Sequence, residues 1–516
     1  MFDPKKPAAT HPSYSRLVEL SQLPGDLLGG LPALLARRDT YFPREVPDGP
    51  GVVVVGGIRV DPYANRLSRL TLFNRFRDGI DDLVGRVFSR RVQWDEDTPR
   101  AVQGDPESRA MGFVDDVDGG GTNAHVFLRR RCRASTAKGC DFVLIDFPKT
   151  ENVGERSVAQ ERAAGLRPIW APYAREAVAD WRHAVLGGRK VLTYLKLADT
   201  WTHPETGVDH PAFRLFFADG SSVVRWEVWA VLEPKKVGVD PLTITDGKSW
   251  SRVDEGVRAP HVEIPFVAYS TDADAPFEAE PPMIDAAYLN LAHCRKTGSL
   301  DNAQHAVGFP RMYASGITYD DFKKQIGSSH SADRFLVIPE SQGRVSFAEP
   351  EGTSWSAVEA TIANIEKRMD ALLSKPLEKD SSQPLTAQGE ANSEAARMSR
   401  LESWVQQWTD ATNLALYFTA IDLGEVRPGA DGGWGAVEFN AKWTAAMRDV
   451  AIVRAAGELA DRGLISRETE FKVGQEFGVI PEDADFEEER EKVEMQGPAP
   501  GVEEDEGGDE GGKVAA

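Results

Sequence analysis

The chain has 516 residues, 41% of them hydrophobic and 27% charged, with 46 Gly and 32 Pro, a globular composition long enough for two to four domains. Three cysteines (Cys132, Cys140, Cys294) offer neither a disulfide framework nor a CxxC metal pair, and no run of 18 apolar residues is available to span a membrane. The net charge of −21 is uneven: the last 35 residues, from Glu482 on, carry 14 Asp and Glu against three Lys and Arg, leaving −10 for the other 481.

The N-terminal "MFDPKKPAATHPSYSRL" has no apolar stretch and is not expected to act as a secretory signal. With so few cysteines, this predicts a soluble intracellular protein in a reducing compartment. Residues 1–50 are Pro-rich with one short helical run, Leu17 to Leu35. "GVVVVGGIRV" (51–60) reads as a buried strand. Residues 65–94 read as one helix, with Leu70, Phe73, Phe76, Ile80, Leu83, Val84 and Val87 on one side. The turn-rich "VDDVDGGGTN" precedes a helix carrying "AHVFLRRRCR" and a strand over 141–148. From 190 to 270 the pattern is β, in apolar runs separated by Gly, Pro and Asp.

A long helix is predicted next, in "EPPMIDAAYLNLAHCRKTGSLDNAQHAVGFP", which begins at Glu280. Pro281 and Pro282 suit a first turn, where a missing N–H costs nothing. Ile284, Ala287, Tyr288 and Leu291 recur at the spacing of one helical face. From Met283 to Ala306 the helix would run about 36 Å. Its other faces are polar. After a mixed stretch with short strands (334–350), a second helix reads "SWSAVEATIANIEKRMDALLSKP", in which Ser356 and Glu359 match a capping box. Its apolar positions Trp355, Val358, Ile362, Ile365, Met369 and Leu372 alternate spacings of three and four. That is a heptad seam, narrower than a face laid on a core, and it suits packing against other helices.

The polar, Pro-containing segment 374–388 ends this helix. It includes Lys375, Glu378, Lys379, Asp380, Ser381, Ser382 and Gln383, with near-neutral charge. A third helix is expected from about Glu390 to Leu423, with Met398, Leu401, Trp404, Val405, Trp408, Ala411, Leu414 and Phe418 as its face. A strand "GAVEFNAKW", a helix "MRDVAIVRAAGELADRG" and short helices to Glu494 follow. The closing "GPAPGVEEDEGGDEGGKVAA" is too polar and charged to offset the entropy of folding and is expected to be disordered.

Motifs for chemistry are sparse. The glycines after "VVVV" belong to no GxGxxG or GxxxxGK[ST]. "DDVDGGGT" fails as an EF-hand loop, since the fifth position from Asp116 is Gly120; a tight turn is the better reading. His203 and His210, with Glu205 and Asp209, are a weak candidate for a metal site on a loop. No GxSxG elbow, HExxH or Cys/His zinc spacing occurs. His293 and Cys294 sit mid-helix, where packing explains them. The cluster Arg129, Arg130, Arg131 and Arg133 can touch phosphate, but without aromatic interleaving a solvated helix face is preferred. No catalytic, metal or cofactor residues are assigned.

The order of segments does carry a resemblance. "PPMIDAAYLNLAHCRKTGSLDNAQHAVGFPRMYASG" resembles the helix of phage portal proteins that descends from the wing toward the clip, in the branch long catalogued as an uncharacterised phage domain. "LVGRVFSR" (Leu83–Arg90), "DDVDGGGT" (Asp115–Thr122), "VLIDFP" (Val143–Pro148) and "GLISRETEFKVGQEFGVIPEDADFEEER" (Gly463–Arg490) are similar to segments of the same branch. Together they span most of residues 10–494.

The resemblance implies an α+β, portal-like fold with an α/β wing, a two-helix stem, a small α/β clip and a helical crown. The wing would take residues 1–280 and 389–443, the stem helices 281–308 and 353–373, the clip 309–352, the tunnel loop 374–388 and the crown 444–494, before an acidic tail at 495–516. It also implies a homo-oligomeric ring, usually of twelve subunits, at one capsid vertex of a virion assembled in the host cytoplasm. Its partners would be the major capsid protein, terminase, a head–tail adaptor and double-stranded DNA passing without sequence specificity, with no membrane. The seam Trp355, Val358, Ile362, Ile365, Met369, Leu372 would lie between subunits, and Lys375 with Glu378–Gln383 would face the channel. Net negative charge is compatible with DNA sliding, because a strongly basic bore would hold phosphates. Another virion component, such as an adaptor, and an enzyme without a compact motif remain the alternatives.

Overall fold

The structure is a computed structural model. It describes residues 6–44, 53–55, 58–104, 111–148, 166–221, 223–233, 236–258, 260–308, 311–315, 344–348, 355–374, 399–440, 449–476, 479–480 and 484–496. Helices and sheets are mixed, in an α+β arrangement. The chain divides into two compact units, Met1–Ala441 and Lys442–Ala516.

The first unit opens with α1 (Tyr14–Gly29), α2 (Leu31–Ala36) and α3 (Arg38–Tyr41). The single helical run expected over 17–35 is broken at Gly30, whose φ of 78° suits a residue without Cβ. The expected strand at 51–60 is a hairpin of β1 (Val53–Val55) and β2 (Ile58–Val60). The helix expected over 65–94 is also divided. α4 (Pro62–Ser68) is separate, and α5 (Arg75–Val87) starts only where Asn74 caps Arg77 N–H at 3.1 Å. Phe76, Ile80, Leu83, Val84 and Val87 are buried as expected, but Phe73 lies before the helix and is 45% exposed. β3 (Gln93–Trp94) and α6 (Arg100–Gln103) lead to the "DDVDGGGT" turn. There Asp118 accepts from Gly120 and Thr122 N–H and Asp116 accepts from Gly121 N–H, so a tight turn, not a cation loop, uses these carboxylates.

From α7 (Ala124–Lys138) the chain enters β4 (Cys140–Asp146) and β5 (Ile169–Tyr173). Five strands follow: β6 (Val178–Leu186), β7 (Arg189–Thr202), β8 (Asp209–Ala218), β9 (Val224–Val231) and β10 (Trp250–Arg258). They form one antiparallel sheet in the order β10-β9-β8-β7-β6, as the β-rich reading of 190–270 requires. β11 (Phe266–Ser270) joins a second sheet, β11-β4-β5. One apolar cluster draws Phe142, Leu144 and Phe266 from the smaller sheet and Trp181, Leu195 and Phe216 from the larger. Residues of the opposite parity on β8, Phe213 and Leu215, build a second cluster with Ile244 and Trp250 on the other face. Each such side chain contributes about 1.5–3 kcal/mol by leaving water.

Next come α8 (Ile284–Gly308), the paired strands β12 (Arg311–Ser315) and β13 (Arg344–Ala348), and α9 (Trp355–Ser374). α10 (Arg400–Asp422) then crosses the back of the smaller sheet. Its capping box is Ser399 with Glu402; Ser356 lies inside α9, so the box expected there does not form. Polar contacts hold α10 in place: Trp408 Nε1 donates to Ser135 Oγ (3.3 Å), Thr412 Oγ1 to Tyr269 OH (3.3 Å), and Trp170 Nε1 to Thr419 Oγ1 (2.9 Å). At its end Asp422 meets buried His261 at 2.7 Å and pairs with Arg258. β14 (Val437–Glu438) pairs with β3.

The second unit contains α11 (Asp449–Asp461), α12 (Arg467–Glu476) and α13 (Phe486–Gln496). Phe471 and Phe486 meet edge to face at 5.3 Å. Residues 375–398, most of 309–352 and 497–516, on which several sequence expectations fall, lie outside the described residues.

Candidate assembly site

The helix pair α8 and α9 and its attachment to α5 form the candidate site. Because Arg311 pairs with Ala348, the end of α8 and the start of α9 are brought together. Further from that end, His293 Nε2 meets Glu366 Oε1 at 3.0 Å, so the two helices run antiparallel.

α8 is anchored by polar side chains on its buried face. Asn290 is fully buried: its Oδ1 accepts from Phe76 N–H at 2.8 Å and its Nδ2 donates to Phe73 O at 3.1 Å. It therefore satisfies an N–H in the first turn of α5 that has no partner within that helix. One turn on, Arg295 Nε donates to Tyr41 O at 2.6 Å, and Cys294 Sγ faces Thr71 O at 3.6 Å. At Gly298 an added Cβ would lie 2.5 Å from Leu70 Cδ2, so glycine permits the close approach. The buried positions are Ala286, Ala287, Asn290, Leu291, His293, Cys294 and Gly298. The expected face of Ile284, Ala287, Tyr288 and Leu291 is thus rotated: Tyr288 is 53% exposed.

α9 packs on both α5 and α8. Ile365, Met369 and Leu373 are buried, Asp370 lies 3.5 Å from Arg75, and a Cβ on Gly79 would lie 2.8 Å from the methyls of Leu373. Two residues of the expected seam, Ile365 and Met369, face inward within one chain. They are already covered within one chain, because α5 and α8 converge on them. Val358, Ile362 and Leu372 are half-buried, and the Trp355 side chain lies outside the described residues. So do Lys375, Glu378, Lys379, Asp380, Ser381, Ser382 and Gln383.

Residues 282–421 match the family model DUF4055, a domain of unknown function. The matched span begins two residues before α8 and ends in the last turn of α10, so it contains the whole helix pair. No curated protein matches. Among solved structures, the chain is similar to a chain in the neck of an empty gene transfer agent particle, with 11% identity and a TM-score of 0.41 over 77% of this chain and 89% of that one. It is also similar to a chain in the virion of a native gene transfer agent particle, with 11% identity and a TM-score of 0.40 over 87% and 99%.

Burial pushes the Cys294 thiol up to about 11, and Cys140 to the same value, which leaves both as unreactive thiols near neutral pH. Among the described residues no group of three His, Cys, Asp or Glu is placed to hold a metal ion. His203 accepts from Glu205 and Thr206 N–H in its own turn, and buried His210 bonds Val231 O at 3.1 Å. The basic cluster on α7 is half structural: Arg131 pairs with Asp141 at 2.8 Å and Arg133 with Asp81, whereas Arg129 and Arg130 are exposed. No described helix is long and apolar enough to cross a membrane.

Asn290, His293, Gly79 and Gly298 were not foreseen as joint residues. A signal existed for Asn290: it falls three residues after Ala287 and four before Cys294, a polar position within an apolar stripe.

Proposed function

We propose that the chain is a portal protein: a ring-forming, non-catalytic structural subunit of a phage-like virion, through which DNA enters and leaves. The observation that carries this reading is the antiparallel pair α8 and α9, linked through the paired strands β12 and β13, all within the span matching one family model, and rooted on α5 outside that span. In this reading α8 and α9 are the stem, the hairpin begins and ends the clip, and α10 is the long helix that ties the stem to the wing. The half-buried Val358 and Ile362, toward the hairpin end of α9, are the part of the seam left for a neighbouring copy. Terminase and a head–tail adaptor would dock at the clip, and the capsid protein at the wing.

Negative-stain imaging and native mass measurement of the purified full chain test the proposal. Closed rings with a central hole are expected. A chain that stays monomeric at high concentration overturns the portal reading; filaments or a tube without a wide wing would point to another virion component.

A further inference from the structure

The sheet β11-β4-β5 has an open side. Among the described residues β11 pairs with β4 and with no second strand. Ile145 N–H bonds Pro265 O and Thr271 N–H bonds Gly139 O, both at 2.9 Å. Bonded pairs therefore fall at odd positions, and Phe266, Ala268 and Ser270 aim their backbone groups away from β4. The Phe266 N–H is taken by Ile264 O at 2.8 Å. Ala268 keeps its N–H and C=O directed at the open side.

Beside this edge lies a cleft of about 330 Å³, walled by Leu192 of β7 and by Leu414 and Phe418 of α10. Its margins are acidic: Glu263, Asp272 and Asp410 line it against a single lysine, Lys190. Glu263 is largely withdrawn from water, burial raises its pKa against the opposing pull of the nearby Arg189 charge, and no hydrogen bond or close ion pair holds its carboxylate among the described residues. Gln407 also lines the cleft, and its Oε1 is buried without a hydrogen-bond partner. Two acceptors without donors, next to an open strand edge and an apolar wall, define what is missing.

We propose that the cleft takes an extended segment of a partner protein, added to β11 as a fourth strand, with alternate apolar side chains against Leu192, Leu414 and Phe418 and an arginine or lysine at Glu263 and Gln407. Charge argues for a basic partner and against the chain's own acidic C-terminal segment. The inference does not depend on ring formation.

The test uses the full chain and a labelled hexapeptide, Thr-Val-Arg-Val-Thr-Val, followed by fluorescence anisotropy. Two controls replace the arginine with glutamate or methylate the backbone nitrogens on one edge. Saturable binding of the arginine peptide is expected, at least about tenfold weaker for the glutamate peptide and lost on methylation, which leaves the side chains unchanged. On the protein, Glu263→Gln should weaken the arginine peptide selectively. Ala268→Pro should abolish binding while the thermal transition persists, since that N–H serves no native ladder. The methylated peptide on unaltered protein keeps the test decisive if the proline variant does not fold. Equal affinity for the arginine and glutamate peptides, indifference to methylation, or no binding up to about 1 mM overturns the proposal. Binding to the monomer that disappears on self-assembly also overturns it, in favour of a second copy as occupant.

Discussion

Asn290 shows how one side chain can fasten two elements. It closes an orphan N–H of α5 while lying on α8, so its removal leaves Phe76 N–H buried and unbonded. Asn290→Ala should lower unfolding free energy by about 1–3 kcal/mol, seen as a lower denaturant midpoint at unchanged slope. Asn290→Asp, which retains the acceptor, should recover part of the loss. Asp141 offers a different readout. Burial pushes its carboxyl up to about 7 from 3.8, against the pull of Arg131 and Lys138, so the ion pair with Arg131 does not outweigh desolvation. A carboxyl raised in the fold binds a proton there that the unfolded chain releases. Its contribution to stability is full below about pH 4 and is lost as pH rises toward 7. Asp141→Asn should flatten that part of the stability profile, which denaturant titrations at pH 4, 5.5 and 7 will check.

At the scale of elements, the joint of α5, α8 and α9 is where the seam's periodicity has to be interpreted. Ile365 is 7% exposed in one chain. Ile365→Asp should therefore destabilise the chain itself by about 3 kcal/mol or more, whether or not rings form. Ala363→Asp, on the exposed side of the same helix, should change monomer stability by less than about 0.5 kcal/mol. Thermal unfolding of the two variants under conditions where only monomer is present separates these outcomes. The rotation of α8 has a similar origin. An apolar-only reading places Tyr288 inward, yet the helix turns Asn290 inward because Phe76 of α5 supplies a donor and Phe73, just before α5, an acceptor there. A hydrophobic period cannot register such a polar match.

For the whole molecule, the portal reading predicts that assembly and DNA handling are separable. Deleting Lys379–Gln383, a polar stretch between α9 and α10, should leave ring formation intact and reduce genome packaging or retention in particles. Unchanged packaged DNA would reduce the segment to a connector. The kinds of element were legible wherever a period ran long enough: the β-rich middle, α8, α9 and α10 all lie where apolar spacing puts them. Composition alone determined that no described helix can cross a membrane, and the unequal charge of the C-terminal segment. The fold alone decided where helices start, which face of α8 is buried, that Ile365 and Met369 are covered within their own chain, and that β11 has no second strand partner among the described residues. The reason is physical. Periodicity records which positions avoid water, whereas the Asn290 bond to Phe76 N–H and the close approaches at Gly79 and Gly298 depend on groups brought together from more than two hundred residues away.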